Sequence, residues 1–204
     1  METLLTRLQQ QLGQKGLTDR SLLARKWLLS IIPTLRPNRL ALLKDRSRLR
    51  TVSMKGRLYL FHYLPKGKDE LPYYDAFPLV IPIERYGDGF LGLNLHYLSP
   101  KIRFIMLNKL STLVNNHRYD ETTRLRVSYP ILQHLSRLYE HTPCLKRYLA
   151  SHIRSRFLEI EPSQWDIAVA LPLAQFRGDI PTNIWKESTQ IMQERNPHRR
   201  TGKP

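Results

Sequence analysis

Cysteine and long apolar runs are almost missing from this sequence. Cys144 is the single cysteine in 204 residues, which excludes an intrachain disulfide framework and a structural zinc site built on cysteines. No apolar run approaches the ~20 residues of a membrane-spanning helix, and the first residues, METLLTRLQQQLGQKG, are too polar for a signal peptide. We expect a protein of a reducing intracellular compartment with no membrane partner.

Acidic residues are also scarce. The chain has 17 Asp and Glu against 33 Lys and Arg, a formal net charge of +16. Residues 1–68 alone hold 15 basic and 3 acidic residues. Because a field of one sign attracts polyanions, nucleic acid or an acidic protein surface is the expected partner. Solubility is the alternative explanation, but it would not require the excess to lie in the first third of the chain.

The common signatures of nucleotide-binding and zinc enzymes are missing as well. The chain contains no GxxxxGK[ST], no GxGxxG and no HExxH, so these classes have no support. No cofactor and no small-molecule substrate are therefore predicted. The length and the 41% hydrophobic content are enough for one domain with its own core.

A basic surface is predicted near the N-terminus. Residues 34–57, TLRPNRLALLKDRSRLRTVSMKGR, are the densest basic stretch, and the leucines between the cations indicate a folded surface rather than a disordered tail. With the cations of the preceding helix, they make up the predicted site for nucleic acid or an acidic partner: Arg20, Arg25, Lys26, Arg36, Arg39, Lys44, Arg46, Arg48, Arg50, Lys55 and Arg57.

A helix is predicted to begin at Thr18, which can cap free backbone N–H groups, and to end before Pro33. Arg20 and Arg25 should face solvent, with Lys26 near the boundary. The buried stripe should consist of residues at helical spacing: Leu22, Leu23, Trp27 and Ile31.

Residues 49–97 predict β-structure. Residues 49–54 and 57–63 should form a hairpin around Lys55-Gly56, and residues 77–85 and 90–97 a second one around Gly87-Asp88-Gly89. In FLGLNLHYL, apolar residues alternate with Gly92, Asn94 and His96, which should face the other way. Pro78 and Pro82 cannot donate to a ladder, so the strand that contains them should either lie at an edge or have its missing donors point away from neighbouring strands.

Helices dominate the second half of the predicted fold. Helices are expected from Ser99-Pro100 to residue 114, with Ile102, Ile105 and Met106 on the apolar stripe, and over 128–139, 142–153, 163–170 and 182–194. Residues 125–127 and 156–160 are candidate short strands. The prediction is an α+β fold with a small curved antiparallel sheet, for which an SH3-like barrel is one form. Residues 1–46 form a basic helical region, 47–195 the compact domain and 196–204 a flexible tail.

Three other sites were weighed. A nuclease-like metal site would use Asp75, Glu84 and Asp88 with His62 or His96, but Asp88 suits a tight turn and Glu84 can pair with nearby cations. Cys144 with His141 and His152 is a weaker candidate, since a cysteine there is more often a small buried residue. Tyr73 and Tyr74 can stack on bases, but beside prolines they favour packing against the sheet.

Several quoted segments resemble one phage family. LPYYDAFPLVIPIE, DGFLGLNLHYLSP and SHIRSRFLEIEPSQWDIA are the most specific parts of a resemblance that covers residues 47–188. The chain resembles the DNA end protector family, small virion proteins of T-even-like tailed bacteriophages and cyanophages. The resemblance implies a minor structural protein, without catalytic residues, that shields duplex ends. At 204 residues the chain is short for that family.

The resemblance implies double-stranded DNA as a partner, bound without sequence preference. It also implies portal, neck or tail proteins as partners, and a place in the virion, with the host cytoplasm as the site of assembly. A competing hypothesis is an assembly subunit whose basic face docks on acidic virion proteins and does not bind DNA. A third, a nuclease that trims packaged ends, would need clustered carboxylates.

Overall fold

The computed structural model describes residues 3–19, 21–114 and 144–194. The strand predicted at 125–127, the helix at 128–139, the tail at 196–204 and Arg20 lie outside the described residues. Within these ranges, none of the helices has the length and apolarity to span a membrane.

The helices begin where side chains or prolines can cap them. Ser21, rather than the predicted Thr18, caps the second helix, because its hydroxyl accepts the N–H of Ala24 at 3.1 Å. The helix predicted after Ser99-Pro100 and those near 163–170 and 182–194 are confirmed. The described helices are α1 (Leu4–Gln14), α2 (Leu22–Ile31), α3 (Arg39–Leu42), α4 (Pro100–Val114), α5 (Trp165–Ala170) and α6 (Pro181–Glu194).

Within the described residues, eight strands form two antiparallel sheets, which confirms the α+β class. The larger sheet has the order β1-β7-β2-β4-β5-β6, and β3 pairs with β8. Over the described residues the six-stranded sheet is open, so it is not a closed barrel of the SH3 type. The strands are β1 (Leu49–Arg50), β2 (Leu58–Leu60), β3 (Tyr74–Asp75), β4 (Leu79–Tyr86), β5 (Gly89–Asn94), β6 (Leu145–Leu149), β7 (Phe157–Ile160) and β8 (Phe176–Arg177).

The first predicted hairpin is wrong. Gly56 makes the expected turn with a φ of 76°, but β1 and β2 do not pair with each other. The strand β7, which the sequence analysis placed correctly at 156–160, lies between them and pairs with both. A strand about a hundred residues away thus replaces the local partner, because it offers apolar side chains for both faces of the sheet.

The second predicted hairpin is confirmed, and of the two alternatives for its first strand the edge position is wrong. β4 and β5 pair from Val80–Asn94 to Tyr86–Gly89 around the predicted turn. β4 is nevertheless an interior strand, between β2 and β5. Pro82 is tolerated there because β2 pairs only with Leu79 and Val80, and the ladder to β5 shifts register just beyond Pro82.

The helix predicted over 142–153 is also wrong where the chain is described. Cys144 is buried as expected, but the residues after it form β6, followed by a 3₁₀ turn at Ala150–His152. β6 pairs with β5 over five residues and places the buried Tyr148 beside Phe90. These tertiary contacts override the local helical spacing.

The sheet is buried on both faces, and strand alternation divides its side chains between two cores. Leu58 and Leu60 of β2 join the main core, whereas Tyr59 lies on the opposite face. This second face carries an aromatic cluster: Tyr59, Phe61, Tyr63, Val80, Phe90, Tyr148 and Phe157. The main core is covered by helices, with Leu5, Leu8, Leu12 and Leu28 from the N-terminal ones. Asn94 and His96, which were expected on an open face, are buried for this reason.

Arg103 ties several elements together under the sheet. Ile105, predicted in the apolar stripe of α4, is 56% exposed, whereas Met106 is buried as predicted, beside Phe104, Leu107 and Arg103. The Arg103 guanidinium donates hydrogen bonds to the carbonyl oxygens of Leu98 at 2.7 Å and Val169 at 2.8 Å. Burial lowers the pKa of Arg103 to about 9, so it stays charged at neutral pH. Its cost of burial is offset by these carbonyl partners.

Asp75 and His96 form a buried pair beside Arg103. The Asp75 carboxylate accepts hydrogen bonds from the His96 ring at 2.7 Å, the Asn94 amide at 3.2 Å and the N–H groups of Phe77 and Gln175 at 3.0 Å. Burial opposes the charge on Asp75, but these donors hold its pKa below the usual value. Burial lowers the pKa of His96, which is neutral at pH 7 in the fold.

The His96 ring predicts a loss of stability in mild acid. Below its unfolded pKa of about 6.5 the ring takes up a proton in the unfolded chain, while the folded ring stays neutral. The free energy of unfolding should therefore fall as the pH drops below about 6.5. Denaturant melts of the parent and of His96→Gln from about pH 7 to about pH 5 measure it. We expect a flatter pH dependence in the variant, and equal slopes would contradict the assignment.

Candidate nucleic-acid interface

Arg25 is buried and stabilises the fold, and it is not part of the basic surface. It was predicted to face solvent, but it donates two hydrogen bonds to the buried Asp166 carboxylate of α5, at 2.7 and 3.1 Å. This contact turns α2 so that Leu22 and Leu23, expected inside, are 68% and 64% exposed. A buried bidentate pair is costly to break, so the position of Arg25 is set by Asp166 and not by amphipathic spacing.

Four other predicted arginines bond to distant residues of the protein, whereas Arg36 donates to the nearby carbonyl oxygens of Pro33 and Leu35, at 2.9 and 3.1 Å. Arg39 donates to the carbonyl oxygens of Leu173 and Ala174, both at 2.7 Å, and burial lowers its pKa. Arg48 bonds to Gln164 and pairs with Asp45. Arg50 and Arg57 share the Glu159 carboxylate across the sheet. Their charges are largely committed to these partners, which leaves less for an outside anion.

Three of the remaining predicted residues meet in one cleft, which we call the N-terminal cleft. It has a volume of about 330 Å³ and lies between the start of α1 and the segment that carries α3. Its cations are Arg36, Lys44 and Arg46, joined by Arg7 of α1, and all four are exposed. Asp45 is the acidic residue in its described lining, and its carboxylate is bonded to Ser47 and Arg48.

A second basic cleft, the hairpin cleft, lies at the end of the sheet. It has a volume of about 570 Å³ and is bounded by residues 51–53, the β4–β5 hairpin and residues 150–157. Arg85, Arg154 and Arg156 line it, and its described lining includes no Asp or Glu. Arg85 is held in place by a bond to the Ser53 carbonyl oxygen. Phe90 and Phe157 of the aromatic cluster form its floor.

The two clefts flank one short segment. Arg46 of the N-terminal cleft and Thr51 of the hairpin cleft are five residues apart, so their Cα atoms are at most ~18 Å apart. Seven cations thus border a continuous stretch of backbone. Such an array can contact several phosphates of one nucleic-acid strand without reading its bases.

Lys26 and Lys55 complete the predicted set. Both side chains are exposed, Lys26 on α2 and Lys55 in the turn at Gly56, and neither lines the two clefts. The structure therefore brings together Arg36, Lys44 and Arg46 and separates them from the other predicted residues.

Sequence reasoning missed four cations of the clefts. Arg154 and Arg156 are separated by one residue just before β7, and this spacing of two could have indicated that both lie on the same side of an extended segment. Arg85 could have been found from its place near the hairpin tip. Arg7 carries no such signal, because it joins the cleft only through the packing of α1.

The three carboxylates of the candidate metal site each bond to a different partner in the structure. Asp75 is buried against His96, Glu84 accepts a hydrogen bond from Tyr86, and Asp88 pairs with Arg147. In residues 3–19, 21–114 and 144–194, no three His, Cys, Asp or Glu side chains are grouped so that they could hold a metal ion.

Comparison with known proteins assigns the class. The chain is a structural phage protein of a kind that protects DNA ends. It belongs to the family described as Phage T4 terminal DNA protecting protein, whose model matches residues 40–186. No curated protein and no solved structure matched the chain. The matched range includes the hairpin cleft and Lys44 and Arg46 of the N-terminal cleft.

Proposed function

We propose that this protein protects duplex DNA ends by binding the phosphate backbone through the N-terminal and hairpin clefts, without sequence preference and without catalysis. The observation that carries the proposal is the grouping of seven exposed or surface-lining cations around residues 46–51, with one already engaged carboxylate among them. A rigid array of cations supplies affinity for any DNA sequence, since phosphates carry no sequence information.

Of the eleven basic residues predicted from the sequence, Arg20 lies outside the described residues and stays a prediction, while Arg36, Lys44 and Arg46 stay in the proposed interface. Arg7, Arg85, Arg154 and Arg156 join them. Lys26 and Lys55 are exposed and remain secondary candidates for phosphate or acidic-partner contacts. Arg25, Arg39, Arg48, Arg50 and Arg57 support the interface indirectly, by fixing the backbone around it.

The salt dependence of binding to linear duplex tests this proposal. Each phosphate contact releases condensed counterions, so the logarithm of the affinity should fall with the logarithm of salt at a slope of about 0.9 per contact. With four to seven contacts the slope should be roughly 4–6. Titrations at several salt concentrations, on two duplexes of unrelated sequence, measure it. A slope below about 2, or different slopes for the two sequences, would contradict phosphate-based binding.

We also propose that the protein acts in the virion, beside portal, neck or tail proteins, after assembly in the host cytoplasm. A second role, docking on virion proteins without contact to DNA, is favoured by one observation: Leu22 and Leu23 are 68% and 64% exposed on neighbouring positions of α2. Exposed apolar residues beside a basic surface suit an interface with an acidic protein. Loss of particle incorporation in Leu22→Ser/Leu23→Ser, with duplex binding retained, would support both roles on separate surfaces.

A further inference from the structure

The two basic clefts do not explain how a protein could prefer a DNA end to continuous duplex. Phosphates are the same at a DNA end and in the middle of a duplex, so phosphate contacts do not distinguish them. What an end alone offers is a terminal nucleotide whose base is stacked on one side and can leave the helix at low cost. A site that selects ends therefore needs an aromatic pocket for one unstacked base.

Such a pocket lies on another part of the molecule. It has a volume of about 310 Å³, at the lower end of the size range of small-molecule sites. Its walls contain five tyrosines and one partly buried lysine: Tyr63, Tyr73, Tyr74, Tyr97, Tyr148 and Lys146. At its mouth lie Lys66, which is exposed, and Leu71, which is 43% exposed.

The tyrosine rings are held in place by bonds at their hydroxyl groups. The Tyr63 hydroxyl accepts the N–H of Leu149 at 3.2 Å, and the Tyr73 hydroxyl donates to Glu187 at 2.8 Å. Tyr148 bonds to the side chain of Asn94. Tyr63, Tyr97 and Tyr148 are buried and form the fixed inner wall of the pocket, whereas Tyr73 and Tyr74 are partly exposed and are the rings that a planar group can reach. A wall held in this way lowers the entropy lost when such a group binds.

Lys146 adds a positive charge at the wall of the pocket. Its Nζ atom lies 4.5 Å from the centre of the Tyr97 ring, a cation–π contact. No ion pair joins it to a carboxylate within the described residues. A cation beside aromatic faces suits a nucleotide, because the base can stack while the phosphate pairs with the ammonium group.

We propose that this tyrosine pocket binds the unstacked terminal nucleotide of a DNA end, with the base against the tyrosine rings and the adjoining phosphate beside Lys146 and Lys66. This inference rests on the proposed function and deepens it, since it supplies the preference for ends that the clefts lack. The clefts hold the duplex by its backbone, and the pocket recognises its terminus.

Competition between two forms of one DNA tests the inference. A small covalently closed circular duplex has no terminus, and the same molecule cut once has two ends with short overhangs. The parent protein should bind the linear form about tenfold more tightly, a difference typical of stacking one base on an aromatic ring. Equal affinity for both forms overturns the pocket and leaves the proposed function standing. Binding to neither form overturns both.

Variants of the pocket test whether it causes the preference for linear over circular duplex. Tyr74→Ala and Lys146→Gln should each reduce the preference for the linear form at least about threefold and leave affinity for the circle unchanged. Tyr74→Phe keeps the ring and should keep the preference. Melting curves confirm that each variant folds. A terminal 5-iodouracil, irradiated in the complex, should crosslink to the parent at Tyr73 or Tyr74. Crosslinks confined to the two clefts overturn the inference.

Discussion

Replacing Leu93 by aspartate should remove a large part of the stability of the protein. Leu93 lies near the end of β5, is 0% exposed and is paired with Ile81 on one side and Leu145 on the other. The substitution removes a large apolar group and buries a carboxylate without a partner, which should cost at least about 4 kcal/mol. Domains of this kind have a total stability of roughly 5–15 kcal/mol.

Asp88→Asn is the matched control in the same hairpin. Asp88 lies at the turn and pairs with Arg147 at the surface, where its side chain is 66% exposed. Asparagine suits the turn equally well, and an exposed ion pair contributes little, so the loss should be below about 1 kcal/mol. Chemical denaturation of both variants decides between a structural and a functional role. A Leu93→Asp protein that melts like the parent would contradict the structural role of this segment.

Reversing two charges in the N-terminal cleft should weaken duplex binding on the order of 50-fold at 0.1 M salt. Lys44 and Arg46 are exposed, and Lys44→Glu/Arg46→Glu removes two proposed phosphate contacts. The slope of affinity against salt should fall by roughly 2, and affinities for unrelated sequences should fall equally. Stability should change little, since the reversal relieves repulsion among Arg7, Arg36 and their neighbours.

The control for this variant carries the same change in net charge elsewhere. Lys101→Glu/Lys186→Glu reverses two exposed lysines that line neither cleft. Long-range attraction is then reduced to a similar extent, so any difference between the two variants reports local contacts. Equal weakening by both variants would mean that net charge, and not the cleft, determines the affinity.

Helix caps and turn residues in the sequence correctly predicted the elements whose boundaries depend on neighbouring residues. Ser99-Pro100 begins α4, and the Gly87-Asp88-Gly89 turn closes the β4–β5 hairpin as predicted. Residues 156–160 were also correctly predicted as a short strand, which the structure shows as β7. These features depend on neighbours in the chain, and the prediction needed no knowledge of the rest of the fold.

Long-range pairing explains the errors. β7 enters between β1 and β2, and β6 replaces a predicted helix, because each finds hydrogen-bonding partners far away in the sequence. Arg25 turned inward because Asp166, which it meets only in the fold, needs a cation. The basic character of the surface could be read from composition. Which of the cations form the interface could not be predicted from composition, because several arginines that looked equally available bond within the fold. Their partners are Glu159, Gln164 and three carbonyl oxygens of residues 172–174.

The central claim is that the cations of the two clefts shield DNA ends. The most direct measurement is the rate at which an exonuclease degrades linear duplex in the presence of the parent protein, Lys44→Glu/Arg46→Glu or Lys101→Glu/Lys186→Glu. We expect the parent and the control to slow degradation to a similar extent at equal concentration, and the cleft variant to lose most of this protection while remaining folded. Undiminished protection by the folded cleft variant would contradict the account.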